Sequence, residues 1–428
     1  MNRAVAYILS FALAALISAP VYAQQFGGPL AVSGSQILVG ESGNQTLSGI
    51  VYVFEEVNGT WSEIDQIQVT EAIRSPDGFG RAIVADQATL LVGAPIEGYA
   101  YLFERSAEGA WGEPTPMKGQ PDSGFGAAVA LTDRYMIVSA PAEEAGVIYV
   151  WDRSDPQDPK RLEAPDGVDA SFGSSVATDG VHLLVGAAGR RGGAGSVHTY
   201  TLEGLNALGQ LTTDDLPDRS AYGSAIAVHQ GTAYVGASGF DGRAGAVFVF
   251  ELDEGIWTEV APLRPIIAAP NSQFGASVAH TEEGLLVGAP GANGGGGALY
   301  RLGQDMTQVS ILESETAGEG AGLGGSVVAA HGLSAVGAVG VDERAGAAVI
   351  YSDWSEQATV INDARGFPSI TGEEIECAEG RADVFDCESV NIVSFMPINE
   401  IGGVRGTRVN DIWGWTDPES GIEYAIVG

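Results

Sequence analysis

Few residues of this chain stand at a spacing that is typical of catalysis or cofactor binding. Gly320, Gly322 and Gly325 form a Gly-x-Gly-x-x-Gly pattern, but this dinucleotide fingerprint works only between a strand and a helix of a βαβ unit. No such unit surrounds it. The segment GASG, from Gly236 to Gly239, comes nearest to a serine-hydrolase elbow and lacks its Gly-x-Ser-x-Gly form. The sequence therefore predicts neither a catalytic residue nor a cofactor.

The histidines and acidic residues form no recognisable site either. The five histidines are distributed over separate parts of the chain and are His182, His198, His229, His280 and His331. With two cysteines and no His-Glu-x-x-His motif, a metal site is not predicted. We interpret each histidine as a solvated or hydrogen-bonded residue, and no spacing of carboxylates favours a glycosidase-type pair.

The first 23 residues have the composition of a secretory signal peptide. Arg3 precedes an apolar run from Ala4 to Ile17, and small residues suited to cleavage end at Ala23. The run is too short to span a bilayer. We therefore predict a signal peptide over residues 1–23 and a protein that is secreted, periplasmic or held at the cell surface. No transmembrane segment is expected after the signal is removed.

The charge of the chain limits its partners. It carries 55 acidic residues against 20 basic ones, a net charge of −35. Such a surface repels phosphate backbones and anionic lipids, so nucleic acid and membrane surfaces are not expected partners, and we expect a monomer. Because counterions screen self-repulsion, we predict that stability rises from low to seawater salt. A flat response would contradict this prediction.

A module repeated seven times organises most of the chain. Each copy begins with an aromatic residue or leucine followed by glycine, and a small residue stands thirteen positions after that glycine. The leading pairs are Phe26-Gly27, Phe79-Gly80, Phe125-Gly126, Phe172-Gly173, Tyr222-Gly223, Phe274-Gly275 and Leu323-Gly324. The small residues are Gly40, Gly93, Ser139, Gly186, Gly236, Gly288 and Gly337. An offset that stays constant in seven copies indicates internal repeats.

Each copy predicts four short antiparallel strands. A third glycine opens an alternating apolar run such as GAVFVF, and in several copies a turn then leads to a tryptophan, as at Trp61, Trp111 and Trp257. A sheet that is apolar on both faces must stack on its neighbours. Radial stacking predicts an all-β fold, a seven-bladed β-propeller of four-stranded antiparallel blades over residues 24–361. A linear β-solenoid is the alternative.

These repeats resemble FG-GAP repeats, the units of the integrin α-subunit propeller and of many exported bacterial proteins. The resemblance covers Phe26 to Ile361 and implies a propeller that serves as a recognition surface. In the calcium-binding versions an Asp-x-Asp-x-Asp-Gly loop joins the first two strands. Here that interval is a short turn such as AVHQGTAY, so we predict no calcium site.

Residues 362–428 form a C-terminal extension of different composition. In an exported chain the cysteine pair predicts a disulfide between Cys377 and Cys387. Together with NDIWGWTDPESGIEYAIVG, the pair resembles the opening of the choice-of-anchor B family, in which a propeller of LVIVD-type repeats follows. One interpretation is therefore the truncated start of a second propeller, and the other is a strand docked on the first ring.

The connections between the second and third strands vary in length and should all emerge on one face of the ring, where recognition sites are commonly built. We predict partner-binding residues among them: Arg190, Arg191, Asp241, Arg243, Asp342, Glu343 and Arg344. The planar guanidinium group of arginine binds carboxylates well, and arginine is enriched in interface hot spots. The alternative is that these residues are solvated loop charges.

The sequence thus favours a non-catalytic module that binds an extracellular protein or glycan. A hydrolase or lyase with a carboxylate site in an axial pocket, and a rigid spacer of a larger surface protein, stay open.

Overall fold

The computed structural model describes most of the chain from residue 25 onward. The described residues are 25–42, 49–69, 77–107, 109–165, 171–188, 193–214, 216–266, 269–313, 320–341, 346–352, 358–361, 370–371, 374–378, 381–382, 385–386, 391–396, 412–416 and 423–427. The predicted signal peptide, residues 1–23, lies outside them. Among the described residues, no helix has the length and apolar composition needed to cross a bilayer.

The described residues form seven four-stranded sheets, and each consists of strands that follow one another in the chain and pair antiparallel. The first four blades contain β1 (Leu30–Ser33), β2 (Gln36–Glu41), β3 (Ile50–Val57), β4 (Thr60–Ile67); β5 (Ala82–Ala85), β6 (Thr89–Ala94), β7 (Tyr99–Glu104), β8 (Thr115–Lys118); β9 (Val129–Leu131), β10 (Tyr135–Ala140), β11 (Val147–Asp152), β12 (Asp155–Glu163); β13 (Phe172–Thr178), β14 (His182–Ala187), β15 (Ser196–Thr201), β16 (Ala207–Leu211). The predicted all-β propeller is confirmed.

The last three blades follow the same order. They contain β17 (Tyr222–His229), β18 (Thr232–Ala237), β19 (Ala246–Asp253), β20 (Ile256–Leu263); β21 (Ser277–His280), β22 (Gly284–Ala289), β23 (Ala298–Gly303), β24 (Gln308–Leu312); β25 (Val327–Ala330), β26 (Leu333–Ala338), β27 (Ala347–Ser352), β28 (Ala358–Ile361). A helical turn, α1 (Phe240–Arg243), joins β18 to β19, and a 3₁₀ turn at Asn293–Gly295 joins β22 to β23.

Burial changes from the second strand to the fourth strand of a blade as the apolar pattern predicts. Every residue of β2, β6, β10 and β22 is buried, because these near-continuous apolar strands are covered by neighbouring blades on both faces. The outer strand β12 has no fully buried residue. The cores lie between blades; for example, Val247 of one blade packs in the same cluster as Phe274 and Leu285 of the next.

The backbone bends at the leading pair of each module, because the glycine of the pair and the residue before the pair are both left-handed. The glycine after the aromatic residue has a positive φ in all seven copies, for example +84° at Gly275. The residue before the aromatic residue also has a positive φ, for example 59° at Gln273. The ring of Phe274 is buried against Tyr300, with ring centroids 5.0 Å apart. This bend therefore leads the chain from the linker into the first strand, and the buried aromatic ring holds the bend in place.

The two later small residues of the module lie against the leading pair of the next blade. A Cβ added to Gly288 would lie 2.0 Å from the carbonyl oxygen of Gly324, and one added to Gly297 would lie 2.2 Å from that of Leu323. Equivalent distances of 1.9–2.4 Å recur at Gly40, Gly93, Gly186, Gly236 and Gly337. Within a blade, the glycine of the leading pair donates to the carbonyl oxygen of the residue thirteen positions later, for example from Gly275 to Gly288 at 3.0 Å. The constant offset therefore places this small residue where the next blade approaches.

The same contact closes the ring. Phe26 forms a parallel β-bridge with Gly346, as Phe274 does with Gly245. The hydroxyl of Ser326 donates a hydrogen bond to the carbonyl oxygen of Gly27 at 2.8 Å. The first and last blades are each built from consecutive strands, so the two ends of the propeller meet at a blade-to-blade contact and share no blade. The sequence had left this point open.

The C-terminal extension forms short antiparallel pairs. Strand β29 (Arg381–Ala382) pairs with β30 (Phe385–Asp386), and β31 (Ile412–Thr416) pairs with β32 (Glu423–Val427). The tryptophan-containing strand thus has a hairpin partner within the extension. Cys377 is disulfide-bonded, whereas its predicted partner Cys387 lies outside the described residues, so that pairing stays a prediction.

Candidate functional site

Alternating strand direction divides the ring into two faces. The connections between second and third strands share one face with the linkers between blades, and we call it the connection face. The turns between first and second strands and between third and fourth strands lie on the opposite, turn face. Of the predicted binding residues, Asp241 and Arg243 are described and lie on the connection face. The others lie outside the described residues: Arg190, Arg191, Asp342, Glu343 and Arg344.

Asp241 and Arg243 are held by a strained, well-anchored turn. Both have a left-handed φ, 48° and 67°, which non-glycine residues adopt rarely and at a cost. The backbone N–H of Arg243 donates to the carbonyl oxygen of Gly239 at 3.2 Å. Phe240 packs edge-on against Phe248, with ring centroids 5.5 Å apart. The turn therefore presents its two charged residues from a fixed backbone.

The linker that enters the same blade supplies a second arginine. Arg219 has a φ of 65°, and its carbonyl oxygen lies where a Cβ on Gly239 would be, at 1.9 Å. Next to it, Ser220 is fully buried. The Ser220 hydroxyl donates to the carbonyl oxygen of Pro217 at 2.5 Å, and its own carbonyl accepts from the N–H of Gly239 at 2.9 Å. Linker and turn are thus locked together.

Between them lies a cavity of about 590 Å³, which we call the arginine cavity. Its charged lining residues are Asp218, Arg219, Asp241 and Arg243, and small residues complete it: Pro217, Ala221, Ser238, Gly239 and Gly242. This volume lies within the range of pockets that hold small molecules. Two arginines and two carboxylates therefore meet on the face that the sequence had assigned to recognition.

The two arginines of the cavity lack ionic partners among the described residues. Elsewhere Arg134, Arg153 and Arg161 each pair with carboxylates at 2.8–3.3 Å, whereas no ion pair joins Arg219 or Arg243 to a described carboxylate. Nearby Arg264 contacts Asp241 at 3.9 Å and lies over the Phe240 ring. Guanidinium groups without an internal partner can each bind a planar anion through two parallel hydrogen bonds.

A second cavity, of about 480 Å³, lies on the turn face, and we call it the histidine cavity. His229, His280 and His331 line it together with Glu282 and Glu283. The rings of His229 and His280 are stacked, with centroids 4.1 Å apart and planes 14° apart. The stacking of adjacent blades thus brings together histidines from three consecutive blades, which the sequence alone had given no reason to group.

Burial and hydrogen bonding distinguish the individual histidines. Burial, together with the like charge of the neighbouring His229, lowers the pKa of His280. The other two histidines are satisfied elsewhere, as predicted: His182 contacts Asp179 at 3.0 Å, and His198 contacts the Ser196 hydroxyl at 3.1 Å. Within the described part of the chain, no group of three or more His, Cys, Asp or Glu side chains could hold a metal ion.

Sequence reasoning missed Arg219 and the histidine cavity. Arg219 precedes the Tyr222-Gly223 pair by three residues, and the signal for it was that linkers emerge on the same face as the second-to-third-strand connections. For the histidines, the signal was position. His229 and His280 end the first strands of their copies, and His331 follows directly after the first strand of the next copy.

Comparison with known proteins identifies the fold. No family profile and no curated protein matches the chain. Among solved structures, a chain of the hydrazine synthase of Kuenenia stuttgartiensis is similar, with a TM-score of 0.51 and 12% sequence identity. The match covers 83% of this chain and 99% of that one. At this identity the likeness concerns the β-propeller fold alone.

Proposed function

We propose that this protein is an exported, non-catalytic recognition module that binds an extracellular protein or glycan through its connection face. The observation that carries the proposal is the arginine cavity, in which Arg219 and Arg243 line a pocket on that face without an ionic partner among the described residues. A rigid ring that presents variable connections is a common basis for binding.

Two resemblances support this proposal. The seven modules resemble FG-GAP repeats, which implies a recognition surface, and the signal-like N-terminus favours export. The tail resembles the opening of choice-of-anchor B proteins, which favours a location at the cell surface or outside the cell. Binding there would occur in surroundings whose salt screens the charge of −35.

A binding screen on matched variants tests the proposal. Mature wild-type protein, the connection-face variant Arg219→Ala/Arg243→Ala and the turn-face variant His280→Ala are applied to an array of extracellular glycans and matrix proteins. We expect wild type to bind a subset of probes, the connection-face variant to lose them and the turn-face variant to keep them. Equal binding profiles for all three proteins would contradict the proposal. An absence of binding by wild type would favour the alternative of a rigid spacer in a larger surface protein.

The histidine cavity is the observation that favours the enzymatic alternative. His229, His280 and His331 share it with two glutamates, and imidazole and carboxylate groups are the usual general acids and bases. The test is release of reducing ends or unsaturated sugars from a panel of polysaccharides. Turnover that is lost in His229→Ala and His280→Ala but kept in Arg219→Ala would establish this alternative and overturn the non-catalytic proposal.

A further inference from the structure

We propose that the arginine cavity binds a uronic acid residue of a glycan, with the sugar carboxylate held by Arg219 and Arg243 and the sugar hydroxyls held by Asp218 and Asp241. This inference rests on the proposed function and names its ligand. It follows from the four charged residues that line one pocket and from the chemistry that they have in common.

The arginines select the carboxylate. In a chain with 55 acidic and 20 basic residues, arginines that keep no described carboxylate partner are available to a ligand carboxylate. A guanidinium group donates two parallel hydrogen bonds to a carboxylate, and these charge-assisted bonds are stronger than neutral ones. Because Arg219 and Arg243 are exposed, a neutral ligand would leave both guanidinium groups to water, whereas a carboxylate ligand gives them an anionic partner.

The aspartates select the rest of the ligand. Asp218 and Asp241 accept hydrogen bonds but donate none when ionised, so a purely anionic ligand such as a sulfate or an acidic peptide would be repelled by them. Vicinal hydroxyl groups donate to carboxylates. A uronic acid carries one carboxylate and several hydroxyls, and it therefore matches a lining of two arginines and two aspartates.

The backbone of the site is preorganised for binding. Arg219, Asp241 and Arg243 have left-handed φ values of 65°, 48° and 67°. The carbonyl oxygen of Arg243 also accepts from the N–H of Gln273 in the following linker at 2.8 Å. A backbone fixed from both linkers lowers the ordering cost of binding. The cavity, of about 590 Å³, has room for a short oligosaccharide.

The net charge decides which acidic glycan suits the site. A charge of −35 repels a polymer that is anionic at every sugar, whereas a single uronate within a neutral chain suffers little repulsion and keeps its contacts with the arginines. We therefore infer that the preferred ligand is a mixed glycan with isolated uronic acid residues.

Calorimetric titration with matched sugars tests the inference. The probes are a tetrasaccharide with one glucuronic acid among neutral sugars, the same tetrasaccharide with its carboxyl reduced to an alcohol, a tetrasaccharide made only of uronic acids, and a glutamate-containing peptide. The proteins are wild type, Arg219→Ala, Arg243→Ala and Asp241→Asn, with Arg81→Ala as the control. Arg81 is an exposed arginine on another blade and lines neither cavity.

We expect the mixed tetrasaccharide to bind wild type at least about tenfold more tightly than its reduced form or the peptide. Each cavity variant should weaken it by at least about tenfold, and Arg81→Ala should leave it within about twofold. Tighter binding of the peptide, or binding of the mixed tetrasaccharide by the two arginine variants as tight as by wild type, would overturn the uronate assignment. If the screen above finds another probe that depends on Arg219 and Arg243 while the tetrasaccharides fail to bind, the uronate assignment falls and the proposed function stands.

Discussion

At the scale of single residues, the module is explained by glycines that accept a neighbouring backbone. Gly288 lies where a Cβ would meet the carbonyl oxygen of Gly324 at 2.0 Å. Because the obstructing atom belongs to the backbone of the next blade, no side-chain rotation can relieve the overlap. We predict that Gly288→Ala lowers the free energy of unfolding by about 1–3 kcal/mol or more, measured by denaturant unfolding.

The control for this prediction is Gly325→Ala. The nearest atom to a Cβ there is the carbonyl oxygen of Gly322 at 3.4 Å, an ordinary contact, and Gly325 has no positive φ. Its substitution should change stability little. Equal effects of the two substitutions would show that the blade-to-blade register is not set by these glycines.

The stacked histidines predict a pH dependence. The pKa of His280 is lowered by burial and by His229, so the folded protein binds fewer protons than the unfolded chain below about pH 6.5. The contribution of His280 to stability is therefore present above about pH 6.5 and is lost as the pH falls through the lower folded-state pKa. We predict that His229→Ala raises the pKa of His280, measured by NMR titration of the imidazole shifts. An unchanged pKa would contradict a like-charge interaction between the rings.

At the scale of elements, arginines on third-to-fourth-strand turns connect adjacent blades. Arg153 bonds Asp86 of the preceding blade at 2.8 Å and the carbonyl oxygen of Thr132 at 3.0 Å. Arg105 occupies the equivalent turn of the preceding blade and bonds the hydroxyl of Ser33 at 3.1 Å. These contacts join neighbouring turns on the turn face and are separate from the glycine contacts between blades.

Removing one such contact should weaken the ring. We predict that Arg153→Ala lowers the free energy of unfolding by about 1–2 kcal/mol. Although burial raises the pKa of Asp86, hydrogen bonds from Ala88, Arg153 and Thr89 outweigh it and lower that pKa. The stabilisation is present above about pH 4 and is lost as pH falls through the folded-state pKa.

The matched control is Arg161→Ala, because the carboxylate partners of Arg161 all belong to its own blade and include Glu143 and Glu163. We expect a smaller loss than for Arg153→Ala. A larger loss would mean that pairs within a blade, and not pairs between blades, limit stability. The readout is the midpoint of thermal unfolding at pH 7 for both variants.

The sequence predicted the elements well and the site in part, for physical reasons. The strands followed from apolar alternation, and the ring from sheets that are apolar on both faces. The choice of Asp241 and Arg243 followed from their position in a variable connection. Arg219 and the histidine cavity could not be predicted in the same way, because they depend on which linkers and turns become neighbours once seven blades close.

At the scale of the whole molecule, closure of the ring is the property on which the rest depends. Phe26 is fully buried at the closing contact, as Phe172 is at an internal one. Each packs edge-on against a ring of its own blade, Tyr52 at 5.5 Å and Tyr200 at 6.3 Å. Because the first and last blades share no strand, their described contact has the same form as the internal contacts, and we expect it to be as strong.

We therefore predict that Phe26→Ala and Phe172→Ala destabilise the protein by similar amounts, about 3–5 kcal/mol each. Removal of either side chain leaves a cavity between two blades, and in a closed ring both junctions must open for unfolding. Denaturant unfolding measures the free energies, and hydrogen exchange of blades one and seven reports local opening. A Phe26→Ala variant that loses far less stability, with rapid exchange confined to those two blades, would show that the ring is open at this junction in solution.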